Sequence, residues 1–436
     1  MKLLLSFTRT AAFLVLLFFS QKSDAQFLMD MIDTTKDVGK GLVSIYQKFD
    51  HIRISGYLQP QFQVAQEKGA HSYSGGDFGT HSNNRFMLRR GRLRFDYARF
   101  NDQNQPVLQF AFQFDGTERG VFIRDFFGRF FENKFQLFAF ATGMFARPFG
   151  YEVNLASSDR ESPERGRMSQ TLMKTERDLG AMVSFEPRRK DHPLRYLKLD
   201  VGLFNGQGLS GPGEYDSYKD LISRLSLKPV HISNAIILSA GVSLLQGGIV
   251  QNDKRVYSMG TIGSNKDFVV DSSASNFGAK APRKYYGSDI QVRIKNKWGF
   301  TEFRAEYWWG TQTASASTSE TPGLLLNEPY YIRKFNGAFF YFLQHIVNVH
   351  HQIGIKYDWY DPNSAISGLE IGKGGTNISA ANIKFSTLSL GYIYYINDDL
   401  KLMLWNDIIR NEKTSLVDYA KDVKDDIFTC RLQYRF

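Results

Sequence analysis

Arginine recurs at every second position in one short stretch of the chain, at Arg90, Arg92 and Arg94. A guanidinium offers a planar fork of N–H donors that suits the oxygens of phosphate and carboxylate groups. In a β-strand alternate side chains share a face, so the three would form a row with about 6.6 Å per step. Such a row could bind anions and pass them along. The alternative is that carboxylates such as Asp96 and Asp115 neutralise the arginines.

The strand that would carry this row also has an apolar face, and the same pattern recurs along the chain. In residues 52–64 a mostly apolar set of positions alternates with arginine, serine, tyrosine and glutamine. The last nine residues, FTCRLQYRF, alternate in the same way and end on Phe436. A period of two residues indicates strands with one apolar and one polar face.

Sixteen such strands are predicted, with short and long connections between them. They lie near residues 52–66, 85–98, 106–115, 121–131, 135–145, 177–186, 196–204, 219–228, 235–245, 285–296, 300–309, 336–346, 350–360, 383–396, 400–410 and 426–436. Long connections are predicted at 67–84, 146–176, 246–284, 310–335 and 361–382. Short turns at one rim and long loops at the other are typical of outer-membrane barrels. The sequence therefore predicts an all-β fold, a 16-stranded antiparallel transmembrane β-barrel of the porin type over residues 51–436.

The first 50 residues lack this alternation. Residues 1–25 are predicted to be a cleaved signal peptide, because Lys2 and Arg9 flank the start of an apolar stretch and small residues precede Gln26. Export then predicts a location in the outer membrane of a Gram-negative cell. Residues 26–50 have apolar side chains at three-then-four spacing, which predicts a short N-terminal helical segment. A flexible leader is the alternative, because Gly39 and Gly41 weaken a helix.

Composition favours the barrel over a large soluble β-sandwich. Aromatic residues make up 15% of the chain, yet the mean hydropathy is negative. An arginine that faces lipid near the membrane midplane costs about 2–4 kcal/mol, so the row from Arg90 to Arg94 is expected to face a water-filled lumen. The net charge of +10 favours anionic solutes and the phosphates of lipopolysaccharide as partners. Export argues against nucleic acid.

Six stretches in order carry a family resemblance: ISGYLQPQFQ (54–63), RRGRLRFDY (89–97), GMFARPFG (143–150), FNGQG (204–208), KYDWYDPN (356–363) and RLQYRF (431–436). They resemble the phosphate-selective porin O and P family, and the resemblance runs through most of the chain after residue 50. It implies a sixteen-stranded, usually trimeric, outer-membrane anion channel with basic residues along the pore. It also implies that the third long loop, about 146–176, folds inward and narrows the channel.

The candidate pore-lining and anion-binding residues follow from alternation, from the predicted inward loop and from this resemblance. They are Arg90, Arg92, Arg94, Arg147, Arg165, Arg167, Arg224, Arg293, Arg304 and Lys356. The excess of basic over acidic side chains at predicted inward positions is small, which favours a mild anion preference. The alternative to a pore-lining role for the loop arginines is a solvated loop of mixed charge.

Other functions of an exported barrel remain open from the residues. A surface adhesion or structural barrel would need no pore, and an outer-membrane hydrolase would need a nucleophile beside a base. The nearest cluster of that kind is His71 and His81 with Ser72, Ser74 and Asp77, and no GxSxG motif is present. His350 and His351 are neighbours on a predicted strand and make a poor metal pair. We therefore expect no enzyme activity, no metal and no cofactor.

Overall fold

A computed structural model describes residues 51–210 and 213–436, and in this range sixteen antiparallel strands close into a barrel. Two further strands form a separate hairpin within the same hydrogen-bonded sheet. The fold class predicted from period-two alternation is confirmed. The predicted signal peptide (1–25) and helical segment (26–50) lie outside the described residues.

The barrel strands coincide closely with the alternating segments of the sequence. They are β1 (Ile52–Ala65), β2 (Asn84–Phe100), β3 (Pro106–Thr117), β4 (Gly120–Phe131), β5 (Phe138–Ala146), β6 (Arg177–Phe185), β7 (Leu197–Phe204), β8 (Asp220–His231), β9 (Ile236–Val250), β12 (Lys280–Asn296), β13 (Gly299–Ala314), β14 (Tyr330–His345), β15 (His351–Asp361), β16 (Phe385–Tyr395), β17 (Leu400–Asn411) and β18 (Ile427–Arg435), with the hairpin strands β10 (Val256–Ile262) and β11 (Asn265–Asp271) between β9 and β12.

The ring closes between the first strand and the last. β1 pairs antiparallel with β18, with Phe62 opposite Cys430, and β1 also pairs with β2. The backbone N–H of Phe436 donates to the Gly56 carbonyl at 3.0 Å, which extends the pairing to the final residue. Closure pairs both edges of each of the sixteen ring strands within the described part of the chain.

The β10–β11 hairpin corrects the prediction that residues 246–284 form one long loop. β9 continues to Val250 and β12 begins at Lys280, so these two wall strands pair directly over fifteen positions. The hairpin instead pairs in parallel with the start of β14, where the rings of Tyr257 and Tyr331 stack 4.5 Å apart. β13 and β14 likewise extend into the predicted 310–335 loop. Where both faces of a strand are polar, alternation no longer marks its end.

The two rims differ as the sequence predicts. One carries short turns, including residues 101–105, 297–298 and 396–399, whereas the other carries longer segments such as 66–83, 251–279 and 362–384. The two-residue connection 118–119 is the exception on the long-loop rim. Among the described residues, none of the helices has both the length and the apolar composition to cross a membrane.

The wall has an apolar outer face and a charged inner face. On β2, Leu93 and Tyr97 are 37% and 36% exposed, whereas Arg90 and Arg92 of the same strand are 6% and 7% exposed. On the outside, apolar side chains of alternate positions face away from the ring. On the inside, the arginines are covered by residues 147–176, named here the inner loop.

The inner loop connects β5 to β6 and contains one short helix, α1 (Arg167–Leu172). Near its start the backbone N–H groups of Tyr151 and Glu152 donate to the Glu306 carboxylate of β13 at 2.7 and 2.9 Å. Gly150 has a φ of +71°, and a Cβ there would lie 2.5 Å from Glu306 Oε1, so only glycine lets the chain pass this close. Farther along, Gln59 of β1 donates to the Ser157 carbonyl at 3.0 Å. The loop therefore crosses the interior from one wall to another.

Candidate functional site

The Glu164 carboxylate of the inner loop is shared by three guanidiniums. Arg89 and Arg90 of β2 and Arg431 of β18 lie 2.8, 2.7 and 2.9 Å from its oxygens. Burial alone would raise the pKa of the Glu164 carboxyl, but Arg89, Arg90 and Arg431 together hold it well below its usual range. The group is therefore an anion that fixes the loop to two adjacent regions of the wall. Three arginines around one carboxylate leave an excess of positive charge.

Arg89 and Arg90 are sequence neighbours, and regular alternation would place them on opposite faces of β2. Both nevertheless reach Glu164, at 2.8 and 2.7 Å. The two-residue period is therefore interrupted between them. This interruption adds a fourth inward-pointing arginine to the row that the sequence predicts.

The other two arginines of the predicted row are paired with strand carboxylates. Arg92 Nε donates to Asp115 at 3.0 Å, and its Nη1 donates to the Ser157 hydroxyl, also at 3.0 Å. Arg94 binds Asp96 at 2.6 Å and Asp125 at 3.1 Å. The row from Arg90 to Arg94 is thus a series of ion pairs, as in the alternative set out above, and none of its guanidiniums is without a carboxylate.

A second group of ion pairs forms around Glu176, at the end of the inner loop. Arg124 of β4 lies 2.7 Å from this carboxylate, Arg165 of the loop lies 3.3 Å from it, and Arg177 of β6 lies 3.7 Å from it. Arg177 also binds Asp125 at 2.9 Å and so connects this group to the row on β2.

Together these groups form what we name the arginine-rich cluster. Its members are Arg89, Arg90, Arg92, Arg94, Arg124, Arg165, Arg177 and Arg431 with Asp96, Asp115, Asp125, Glu164 and Glu176. Eight guanidiniums share five carboxylates, so three positive charges are uncompensated within the cluster. Because arginine stays protonated at any physiological pH, this excess is permanent.

The opposite side of the interior has a different balance of basic and acidic side chains. Arg304 of β13 binds Glu161 of the inner loop at 2.6 Å and Glu302 at 2.7 Å, and Arg293 of β12 binds Glu302 at 2.9 Å. On β15, Lys356 lies 3.2 Å from Asp358 and 3.9 Å from Glu152 of the loop.

We name this second set the acid-rich cluster: Arg293, Arg304 and Lys356 with Glu152, Glu161, Glu302 and Asp358. Three basic groups share four carboxylates, so one negative charge is in excess. The Glu306 carboxylate next to it accepts only from neutral donors, the Trp308 indole N–H and two backbone N–H groups. The interior thus carries opposite charge on facing sides.

The side chains of the remaining sequence-predicted residues form no ion pair with either cluster among the described residues. Arg224 of β8 binds Asp289 of β12 at 2.6 Å. Arg147, at the base of the inner loop, is buried and donates to the Thr175 carbonyl. Arg167, the first residue of α1, lies at a cavity near the long-loop rim.

Several cavities among the described residues border the inner loop. One of about 710 Å³ opens among the long loops and reaches Arg89 and Arg167. A narrow one of about 30 Å³ shares Arg167 and Gln170 with it and continues to Lys356 and Asp358. Another, of about 170 Å³, lies at the short-turn end beside Lys401 and Arg435, and one of about 360 Å³ lies beside Arg147 and Leu172.

Sequence reasoning missed several members of the clusters. Alternation would assign Arg124 and Arg177 to the outer face, because Phe126 and Leu179, two residues farther on, are exposed. Arg124 turns inward where the pairing of β3 with β4 shifts register. Arg431 lies on the polar face of the last segment, but nothing in that segment marks it as part of a site. Arg89 could not be found by alternation, because it depends on the interruption in β2. The loop carboxylates Glu152, Glu161 and Glu164 carry no local signal at all, since their partners lie on strands far away in sequence.

The fold is similar to that of solved outer-membrane proteins. The outer membrane channel DcaP of Acinetobacter baumannii matches with a TM-score of 0.51 and 14% identity over 88% of this chain and 97% of that chain. OmpF of Salmonella typhi, in a complex with daunomycin, matches with a TM-score of 0.49 and 11% identity over 88% of this chain and 97% of that chain. A mutant porin of Rhodopseudomonas blastica matches with a TM-score of 0.44 and 9% identity over 88% of this chain and 100% of that chain. No family model and no curated protein matches the sequence. The likeness to DcaP concerns the fold, that of an outer-membrane channel barrel.

Proposed function

We propose that the chain is an outer-membrane porin, a channel for passive diffusion of small hydrophilic solutes, with a preference for anions. The observation that carries this proposal is a closed sixteen-stranded barrel with an apolar outer face and charged side chains inside. A barrel of this strand number is wide enough to enclose an aqueous passage. The inner loop narrows that passage, and solutes cross between the arginine-rich and acid-rich clusters.

The anion preference rests on the arginine-rich cluster rather than on a row of free arginines. Its three uncompensated positive charges attract anions, while the paired carboxylates keep each guanidinium from holding an anion too tightly. Conduction requires sites of moderate strength that a solute can leave. Arg167 adds a further positive group at the wide end. Phosphate is the solute that the resemblance to the porin O and P family suggests, and other small anions fit the same chemistry.

Export by a cleaved signal peptide over residues 1–25 and residence in the outer membrane complete the proposal. Basic side chains on the long loops, such as Lys254 and Lys373, would bind lipopolysaccharide phosphates. No catalytic role is proposed for any residue.

A homotrimer is the proposed assembly, and the outer face of β3 to β5 is its contact surface. Phe110, Phe122, Phe126 and Phe130 are 48–60% exposed there, and β3 to β5 contain neither tryptophan nor tyrosine. Lipid-facing strands carry those two residue types at the membrane boundaries. A face that lacks them while exposing phenylalanine suits contact with another copy of the chain.

The test is single-channel recording of the purified protein in a planar bilayer with a salt gradient. Ohmic conductance with a reversal potential shifted toward the equilibrium potential of chloride supports an anion-preferring porin. Addition of millimolar phosphate should reduce the chloride current if phosphate uses the same path. If the bilayer carries no current although the protein migrates as a folded barrel on an unheated gel, the proposed channel function is contradicted. An adhesion or structural barrel is then favoured.

A further inference from the structure

Arg167 is held between two aromatic rings at the floor of the large cavity. Its guanidinium carbon lies 3.7 Å from the ring centre of Phe385 and 4.6 Å from that of Tyr73. The two rings come from different parts of the barrel, the first residue of β16 and the 66–83 loop. Contacts of this kind stabilise a cation and cover the faces of the planar group, which leaves its N–H edge as the open side.

The guanidinium of Arg167 has no acceptor. Within residues 51–210 and 213–436, no oxygen accepts a hydrogen bond from it and no carboxylate lies within the 4.0 Å of an ion pair, although its backbone N–H contacts Asp358. The neighbouring Arg165, in contrast, binds Glu176 and two backbone carbonyls. A half-buried guanidinium held in place without an acceptor is a ready donor for an incoming oxyanion.

Most other charges around this cavity are already paired. Arg89 binds Glu164, Lys174 binds Glu320 at 2.5 Å, and His71 lies 3.2 Å from Asp77. Asp425 is the exception, since its buried carboxylate forms no ion pair within 4.0 Å among the described residues. Arg167 is thus the available positive group of the cavity, and Asp425 opposes an anion there.

The cavity itself is far larger than an inorganic anion. Its volume is about 710 Å³, and its walls include the rings of Tyr73, Tyr360, Phe385 and Tyr419. The rest of the lining is polar and includes Gln170, Ser317 and Thr318. Pockets of this size that combine aromatic walls with polar groups able to orient a ligand typically hold organic molecules. Bare phosphate would leave most of these aromatic walls in contact with water.

We propose that Arg167 and the aromatic walls of this cavity bind a small carboxylate with a ring-shaped apolar body, on the way to the narrow part of the channel. The carboxylate accepts two N–H bonds from the exposed edge of Arg167, and the ring of the ligand packs on the aromatic walls. This site deepens the proposed function, because it names the class of solute that the channel would select.

Binding is tested on the whole protein in detergent by titration calorimetry with sodium benzoate, sodium acetate and sodium phosphate. Benzoate should bind more tightly than acetate or phosphate, and Arg167→Gln should weaken benzoate binding about tenfold, the loss of a bidentate charged contact. Arg167→Lys, which keeps the charge without the planar fork, should also weaken it. Arg119→Gln is the matched control, because Arg119 is 73% exposed on the 118–119 turn.

Two more variants keep the test independent of any folding defect. Phe385→Leu should weaken benzoate more than acetate, because the ring both holds Arg167 and contacts the apolar part of benzoate, and Asp425→Asn should strengthen both by removing the opposing charge. Each variant is first checked for the heat-dependent gel migration of a folded barrel. Equal benzoate affinity in the wild type and Arg167→Gln, or phosphate binding as tight as benzoate, would overturn the site.

Bilayer recording separates this site from the proposed function. Conductance without benzoate binding would leave the porin standing and remove the site. Benzoate binding by a protein that carries no current would keep the site and remove the porin. If both hold, benzoate added on the long-loop side should block the current at lower concentration than acetate, and Arg167→Gln should abolish that difference.

Discussion

The side of the barrel around β2 to β4 and the side around β12 to β15 use the same architecture with opposite chemistry. Inside, the arginine-rich cluster of the first side holds eight guanidiniums against five carboxylates, and the acid-rich cluster of the second holds three basic groups against four carboxylates. Outside, β3 to β5 expose phenylalanine, whereas β13 and β15 expose Tyr307, Trp309 and Tyr357. The sides of a closed ring therefore need not be equivalent. The inner and outer faces of each strand can carry different residue types that suit different surroundings.

The inner loop contacts both sides and depends on both. Glu164 binds the arginine-rich cluster, while Glu161 binds Arg304 in the acid-rich cluster. Loss of one partner from a buried ion pair is costly, because the remaining charge is left without compensation. The difference between the two sides thus fixes the position of the loop as well as the charge along the passage.

The largest expected change in selectivity comes from the double variant Arg92→Gln with Arg94→Gln. It removes two of the positive charges and leaves Asp96 without an ion-pair partner among the described residues, whereas Asp125 keeps Arg177 and Asp115 keeps Arg124. A unit charge about 4 Å from an ion in water contributes about 1 kcal/mol, or about fivefold in partition for each charge. The chloride-to-potassium permeability ratio, measured from the reversal potential, should fall by more than for either single variant. An unchanged ratio would mean that these arginines do not face the passage.

Glu164→Gln should act in the opposite direction and by less. It removes one negative charge from the centre of three arginines, so the permeability ratio should rise toward chloride by about fivefold. The inner loop loses its ion pairs with Arg89, Arg90 and Arg431 and should become more sensitive to added protease, although hydrogen bonds from Arg92 to Ser157 and from Arg431 to the Pro163 carbonyl remain. Glu118→Gln, on the exposed 118–119 turn, serves as the control and should leave both measurements unchanged.

A smaller, pH-dependent change is expected from Asp425 at the wide end. Burial, together with the charges of Asp422 and Asp426, raises the pKa of its carboxyl to about 6, although Arg167 lowers it. Below about pH 6 the group gains a proton and loses its negative charge, so anion preference should increase as the pH falls through this value. Asp425→Asn should remove most of that change. Because His71 borders the same cavity, His71→Gln is measured alongside, and a pH response that follows His71 instead would contradict this assignment.

The outer-face variants should alter selectivity least and assembly most. Phe126→Asn with Phe130→Asn places polar groups on the proposed contact between copies, and the apparent mass in mild detergent should fall from a trimer to a monomer. Phe303→Asn, at a 47% exposed position of β13, is the control and should leave the trimer intact. If all three proteins have the same apparent mass, β3 to β5 do not form the contact.

Much of the fold could be predicted because alternation is a local property of the chain. A two-sided strand repeats every second residue, so 108–115 and 288–295 reveal their faces without knowledge of their neighbours. The β10–β11 hairpin could not be predicted, because its strands pack against loop residues outside the membrane and need no strict apolar face. The partners of Glu164 could not be predicted either, since Arg89 and Arg90 lie 75 and 74 residues away and Arg431 lies 267 residues away.

The sequence by itself determined which side chains are apolar and which are charged, and hence that each strand has one apolar and one polar face. Only the tertiary structure decided that Arg90, Arg92 and Arg94 each meet a carboxylate while Arg167 does not. The physical reason is that sidedness depends on the geometry of one strand, whereas compensation of a charge depends on what the closed ring and its inner loop place within a few ångströms of it.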